Sequence, residues 1–241
     1  MQERLQAKRR DSVAYTVRMM VTESTDRIWM YEDFVGLEAG AVSQALSRLA
    51  KEGIVRRIRK GAYYRPRQTV VGESKAPSVV LVSKLLAPGA RPTGLTAAQA
   101  LGLTTQIPAE PSYAITKSNA PSNLPGVRLK VRRPIIGKEI DTRQAAILEL
   151  LRDRGQTSEL SSKETIRRLV TMIRNPSVFS KLAETALNEP PRVRAILGAL
   201  GEEAGMDGSA LESLRKSLNS LSRYDFGRFS TLRTAKEWQS K

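Results

Sequence analysis

Residues 40 to 65 constrain this chain more than any other stretch. Val42, Ala45, Leu46 and Leu49 recur at i, i+3, i+4 and i+7, the spacing that gathers apolar side chains on one helix face. The other face carries Gly40, Ala41, Ser43, Gln44, Ser47, Arg48 and Lys51, small at the start, polar in the middle and basic at the end. Gly53 stands where a left-handed residue ends a helix. The following stretch alternates apolar residues with Arg56, Arg57, Arg59 and Lys60, turns at Lys60-Gly61 and returns through Tyr63 and Tyr64. That is the pattern of a short hairpin with a cationic tip. A small-faced helix followed at once by a basic hairpin reads as the recognition helix and wing of a winged helix-turn-helix.

The charge balance agrees with such a module. Forty Lys and Arg stand against 24 Asp and Glu, a formal net charge of +16. An excess of this size favours a polyanionic partner, nucleic acid first; a basic surface kept for solubility is the other reading. On this reading Gly40 and Ala41 let the helix approach base edges closely. Ser43, Gln44 and Ser47 offer hydrogen bonds to bases, with Gln suited to adenine. Arg48 and Lys51 meet phosphates, and Arg56, Arg57, Arg59 and Lys60, with Tyr64 on the return strand, add backbone or minor-groove contacts. Each phosphate neutralised steepens the salt dependence of binding. A winged helix also serves as a protein-interaction module, and basic strands also serve as solvated faces.

The chain has no Cys and no His. Disulfides, thiolate or imidazole metal sites, Cys nucleophiles and His general bases are thereby excluded. Carboxylates are scattered singly, and Gly36, Gly40, Gly53 and Gly61 lack phosphate-loop spacing. We therefore expect no enzyme and no cofactor. The start, Met1-Gln2-Glu3-Arg4-Leu5, lacks the apolar core of a signal peptide, and no apolar run approaches the ~20 residues of a membrane span. A soluble cytoplasmic protein without membrane association is the expectation.

At 241 residues the chain has room for two or three small domains. We expect a mainly α chain with small β elements (α+β), divided into a winged helix-turn-helix at 1–67, a small α/β middle domain at 68–140 and a helical bundle at 141–241. In the first, Ser12 caps a helix bearing Val13, Val17, Met20 and Val21. Lys8-Arg9-Arg10 before it is a solvated lead-in or a phosphate contact. Arg27-Ile28-Trp29-Met30 reads as a small strand beside the wing, and 31–35 as a second helix. In the middle, 77–86 and 95–101 read as helices and 112–116 and 127–132 as strands, with Pro88-Gly89-Ala90-Arg91-Pro92 as a break and a Pro- and Asn-rich loop at 119–126. The basic face of the second strand, Arg128, Lys130 and Arg132, is either the wet side of a half-buried strand or part of a binding surface. Beyond 140, five short amphipathic stretches are punctuated by Pro or Gly. Ser161 with Glu164 reads as a capping box. Leu211, Leu214, Leu218 and Leu221 form the last stripe. Arg192 and Arg194 are a loop-to-helix entry or a functional basic point. Tyr224, Phe226 and Phe229 dock the tail, and 231–241 frays.

Several of these stretches resemble one family. Phe34, the helix Ala41-Val42-Ser43-Gln44-Ala45-Leu46-Ser47-Arg48-Leu49, the hairpin through Gly61 and the pair Tyr63-Tyr64 resemble the amino-terminal domain of the AbiEi-type antitoxins of type IV abortive-infection toxin–antitoxin systems. Residues 94–108, 188–201 and 217–227 extend the resemblance over most of the chain. It implies a phage-defence antitoxin that represses its own operon, binds operator DNA at inverted repeats as a monomer or weak dimer, and counteracts a cognate nucleotidyltransferase-like toxin. Some similar antitoxins are thought to phosphorylate their toxins, but the nucleotide-binding parts this would need are not seen in this sequence. A stand-alone winged-helix regulator of a mobile element and a scaffold that does not touch DNA are the rival readings.

Overall fold

The structure, a computed structural model, describes residues 12–85, 90–116, 124–132 and 140–241. Lys8-Arg9-Arg10, Leu86, Pro88 and Gly89 of the expected break, and most of the loop expected at 119–126 lie outside them, while Arg91 and Pro92 of that break form a strand. The described chain is mixed α+β and falls into two compact units. One holds residues of 1–87 and 121–125, the other those of 88–120 and 126–241. The segment 68–140 is thus shared between the two.

In the first unit, α1 (Val13–Thr22) starts at Ser12, whose side chain accepts from the Tyr15 amide. Strand β1 (Arg27–Met30) leads into a single 3-10 turn at Tyr31–Asp33, shorter than the helix expected over 31–35. Helix α2 (Ala39–Lys51) buries Val42, Ala45, Leu46 and Leu49, the stripe read from the sequence. It ends in a Schellman motif. Gly53 takes φ +75°, its amide donates to the Ala50 carbonyl at 3.2 Å, and the Ile54 amide donates to that of Leu49 at 2.9 Å. Strands β2 (Arg56–Arg59) and β3 (Ala62–Arg65) form the hairpin, and β1 joins β3 antiparallel in the order β1-β3-β2. The sheet and the helices close on a core containing Val17, Trp29, Phe34, Leu46 and Tyr63. Each such aliphatic side chain, fully buried, contributes about 1.5–3 kcal/mol. Trp29 and Phe34 stack with centroids 5.2 Å apart. A two-residue hairpin, β4 (Gln68–Thr69) with β5 (Gly72–Glu73), and helix α3 (Ser78–Leu85) complete this unit.

In the second unit, β6 (Arg91–Pro92) pairs antiparallel with β7 (Ser112–Thr116), and β7 pairs parallel with β8 (Arg128–Arg132). Helix α4 (Leu95–Ala100) lies between the first two strands in sequence. Five further helices follow: α5 (Thr142–Arg152), α6 (Ser162–Ile173), α7 (Pro176–Ala186), α8 (Pro191–Glu203) and α9 (Ser209–Lys216). Asn175 caps α7 with Pro176 at its first position, where the missing N–H costs nothing. A capping box occurs at Asp141 and Gln144, not at Ser161 and Glu164. Ser161 does accept from the Glu164 amide, but the Glu164 carboxylate turns to Arg167 and Arg168.

Helix α8 is the centre of this unit, with every residue of 195–201 buried. Two glycines on it let aromatic rings reach the backbone. A Cβ at Gly198 would lie 2.2 Å from Trp238 Cζ3, and one at Gly201 2.4 Å from Phe179 Cζ. The tail therefore does not fray. Trp238 is 1% exposed, Leu232 and Ala235 are buried with it, and the Tyr224 amide donates to the Gln239 carbonyl at 2.8 Å. Leu221, expected in the last stripe, is 89% exposed because α9 stops at Lys216.

Candidate nucleic-acid interface

The candidate site follows from how α2 and the β2–β3 hairpin are fastened together. Tyr31, in the 3-10 turn, places its hydroxyl 3.0 Å from Ser43 Oγ on α2. Its ring also lies against the hairpin turn, where a Cβ on Gly61 would come within 3.3 Å of Tyr31 Cε2. Gly61 takes φ +82°, so the turn needs glycine twice over, for its backbone and for this contact. One turn further along α2, Ser47 Oγ lies 3.3 Å from the Tyr63 hydroxyl on β3. Two tyrosines thus pin the helix to the sheet through two serines spaced four apart.

This pinning sorts the residues picked out in the sequence. Gln44, Arg48 and Lys51 are exposed on the outward face of α2. Ser43 and Ser47 are half-buried and turned toward Tyr31 and Tyr63, so their hydroxyls serve the fold rather than an open face. Gly40 is exposed and Ala41 half-buried, and the amides of both donate to Glu38, at 2.7 and 2.5 Å. Those hydrogen bonds hold the Glu38 carboxyl below its ordinary pKa. A charged cap of this kind stabilises the helix N-terminus and occupies the amides that would otherwise meet a phosphate.

On the hairpin, Arg57 and Lys60 are exposed and Arg59 half-exposed. Among the described residues no carboxylate lies within 4.0 Å of these three, of Arg48 or of Lys51. A bulge between Arg57 and Arg59 interrupts the register with β3 and twists the tip. Arg56 is different. Its guanidinium makes a two-pronged pair with Glu73 on β5, Nε to Oε2 at 2.8 Å and Nη2 to Oε1 at 2.5 Å, so its charge is already matched. Tyr64 lies apart from the surface altogether. It is 3% exposed, and its hydroxyl meets Asp26 at 2.8 Å and Ser74 at 2.9 Å.

Tyr64 belongs to a latch that sequence reading missed. Asp26, at φ +56°, accepts from Ser74 and Tyr64, and these hydrogen bonds with the nearby Arg67 keep its carboxyl below the usual range. Arg67 Nε lies 3.1 Å from the other Asp26 oxygen. The latch ties the β4–β5 hairpin back to the start of β1, and no local spacing advertises partners this far apart. Val70 and Val71, at the tip of that hairpin, are fully exposed.

Comparison with known proteins adds little beyond the fold. A model of DUF6088, a family of unknown function, matches residues 17–123. No curated protein matches the sequence. Among solved structures, the crystal structure of the RV2827C protein from Mycobacterium tuberculosis is similar, with a TM-score of 0.50 and 13% identity over 86% of this chain and 82% of that one. At that identity the likeness concerns fold alone.

Proposed function

We propose that this chain is a double-stranded-DNA-binding regulator whose first unit is a winged helix-turn-helix, with α2 as recognition helix and β2–β3 as wing. The observation that carries the reading is a set of cations with no carboxylate partner among the described residues, Arg48 and Lys51 on α2 with Arg57, Arg59 and Lys60 on the hairpin, on two elements fixed to each other through Tyr31. Gln44 stands among them with its amide free for a base edge. Arg56 and Tyr64 drop out of the contacting set, and Ser43 and Ser47 support it from behind.

A footprint on the DNA upstream of the chain's own gene tests this. Gln44→Ala is expected to relax base preference, at a cost of about 1–3 kcal/mol at one position. Arg59→Ala is expected to weaken binding evenly across sequences. Wild-type footprints from both variants would remove the recognition surface.

We further propose, on the resemblance to the AbiEi-type antitoxins, that the protein represses its own operon and neutralises a nucleotidyltransferase-like toxin. Co-expression with the product of the adjacent gene tests that half separately. Rescue of growth is the expected result, and a neighbour that is harmless when expressed alone would leave a plain transcriptional regulator.

A further inference from the structure

The second unit holds a knot of charge that the DNA reading does not use. Glu149 on α5 and Glu189 before α8 have side chains only 2% and 6% exposed. Around them stand guanidinium groups from four elements. Arg91 on β6 reaches Glu189 at 3.2 Å and Glu149 at 3.9 Å. Arg132 on β8 lies 3.5 Å from Glu149. Arg152, one turn along α5, lies 3.8 Å from Glu149 and pairs with Glu189. Arg192, in the first turn of α8, donates to the Arg152 carbonyl at 3.2 Å. It has no carboxylate within 4.0 Å among the described residues.

Among the described residues, four guanidinium groups thus gather around two carboxylates. The acids nearby do not close the gap. Asp153 turns its oxygens to the Gly155 amide and the Thr157 hydroxyl. Asp225 is paired with Arg154 and acts on Arg192 only from beyond ion-pair distance. The geometry around Glu149 is also loose. Three guanidinium groups crowd one oxygen at 3.5–3.9 Å, and that oxygen has no hydrogen bond. The buried Nε–H groups of Arg132 and Arg152 face this oxygen without completing a hydrogen bond to it, and that of Arg192 has no acceptor among the described residues. An unmet buried donor costs about 1–3 kcal/mol, and three of them lie together in one knot. Arg132 and Arg152 keep 28% and 22% of their side chains exposed, so the knot opens to solvent on that side. Pro190 and Pro191 offer no N–H, and the Arg192 amide is the first donor of α8, adding the positive end of a 13-residue helix.

We propose that Arg132, Arg152 and Arg192 form a binding site for a phosphate-type oxyanion, with Glu149, Glu189 and Arg91 as its buried floor. Planar guanidinium forks match tetrahedral oxyanions, and a dianion supplies acceptors for the unmet N–H groups while balancing the surplus charge. The floor carboxylates hold the guanidinium groups in place before the anion arrives, which lowers the ordering cost of binding.

The test titrates the full chain with inorganic phosphate, by calorimetry and thermal melting, against chloride at equal ionic strength. Phosphate is expected to bind once per chain and to raise the melting temperature. Arg192→Gln, which removes no ion pair, is expected to weaken it about tenfold, while Arg59→Gln on the DNA-facing hairpin leaves it unchanged. Phosphate indistinguishable from chloride, wild-type affinity in Arg192→Gln, or equal loss in both variants would overturn the site. Affinity should also rise across the pH at which phosphate gains its second charge and stay flat for sulfate, a readout that needs no variant; a flat phosphate profile counts against the site. Adenosine monophosphate, with adenosine as its blank, separates the sources: binding of both anions indicates a phosphate monoester, and binding of inorganic phosphate alone indicates the free ion. Operator footprints measure the DNA reading independently, so either proposal can fail alone.

Discussion

Arginine does opposite work in the two units. On the β2–β3 hairpin, Arg57 is exposed and Arg59 half-exposed, and neither has a carboxylate within 4.0 Å among the described residues. In the knot around Glu149 and Glu189, Arg91 and Arg152 are inside the fold, and burial lowers the pKa of both guanidinium groups. The first arrangement contributes little to stability and leaves charge available to a partner. The second spends charge on organising β6, β8, α5 and the α8 entry, and removing one member leaves another buried and unmatched. Sequence composition counts these residues alike, yet the same side chain is open to solvent in one place and a fastener in the other.

The contrast breaks most visibly at Glu149. Glu149→Gln is expected to cost about 3–5 kcal/mol in denaturant unfolding, the range for removing one partner of a buried pair. A loss within ~0.5 kcal/mol, as for an ordinary surface change, would erase the distinction. Gly198→Ala comes next, at about 1–3 kcal/mol, since a methyl group there must displace the Trp238 ring. A changed near-ultraviolet signal of Trp238 would locate the strain. On the hairpin, Arg59→Ala is expected to leave stability within ~0.5 kcal/mol and to lower the salt slope of DNA binding by about 1. Arg56→Ala sharpens the comparison within one strand. Glu73 already matches that charge, so its salt slope should stay at the wild-type value. The smallest effect is at Glu164. Hydrogen bonds from Arg167 and Arg168 lower its pKa to about 2 from 4.5. A depressed carboxylate stabilises the fold above its unfolded pKa, and the contribution fades as pH falls from about 4.5 toward 2. An NMR titration should place the midpoint there and move it upward in Arg168→Ala; an unshifted midpoint would show that the exposed pair is not formed.

The parts of this fold legible in the sequence are those set by neighbours in the chain. The apolar stripe of α2, its end at Gly53, the Ser12 and Asn175–Pro176 helix starts and the β1 strand all follow from spacing and capping chemistry. Long-range partners leave no such trace. Ser43 and Ser47 read as base contacts because helical periodicity cannot show Tyr31 and Tyr63 waiting on their side. Tyr64 read as part of the wing surface because alternation along a strand does not reveal the Asp26 latch beneath it. The parallel sense of β7 and β8 is likewise invisible in two short strands. Arg192 remained ambiguous until its neighbours in space were known. One local signal did exist for the knot: Glu149 sits alone in the apolar run Ala145-Ala146-Ile147-Leu148-Glu149-Leu150-Leu151, and an acid placed there needs a buried counterion.

Trp238 filling the groove over Gly198 has a consequence for how the chain is made. Helix α8 is synthesised before the ring that seals it. Until that ring arrives, the glycine-lined groove is open apolar surface, of the kind that recruits chaperones or neighbouring nascent chains. The second unit is therefore closed by a side chain well downstream of the helix it covers, and losing the Trp238 ring would leave that groove as exposed, aggregation-prone surface.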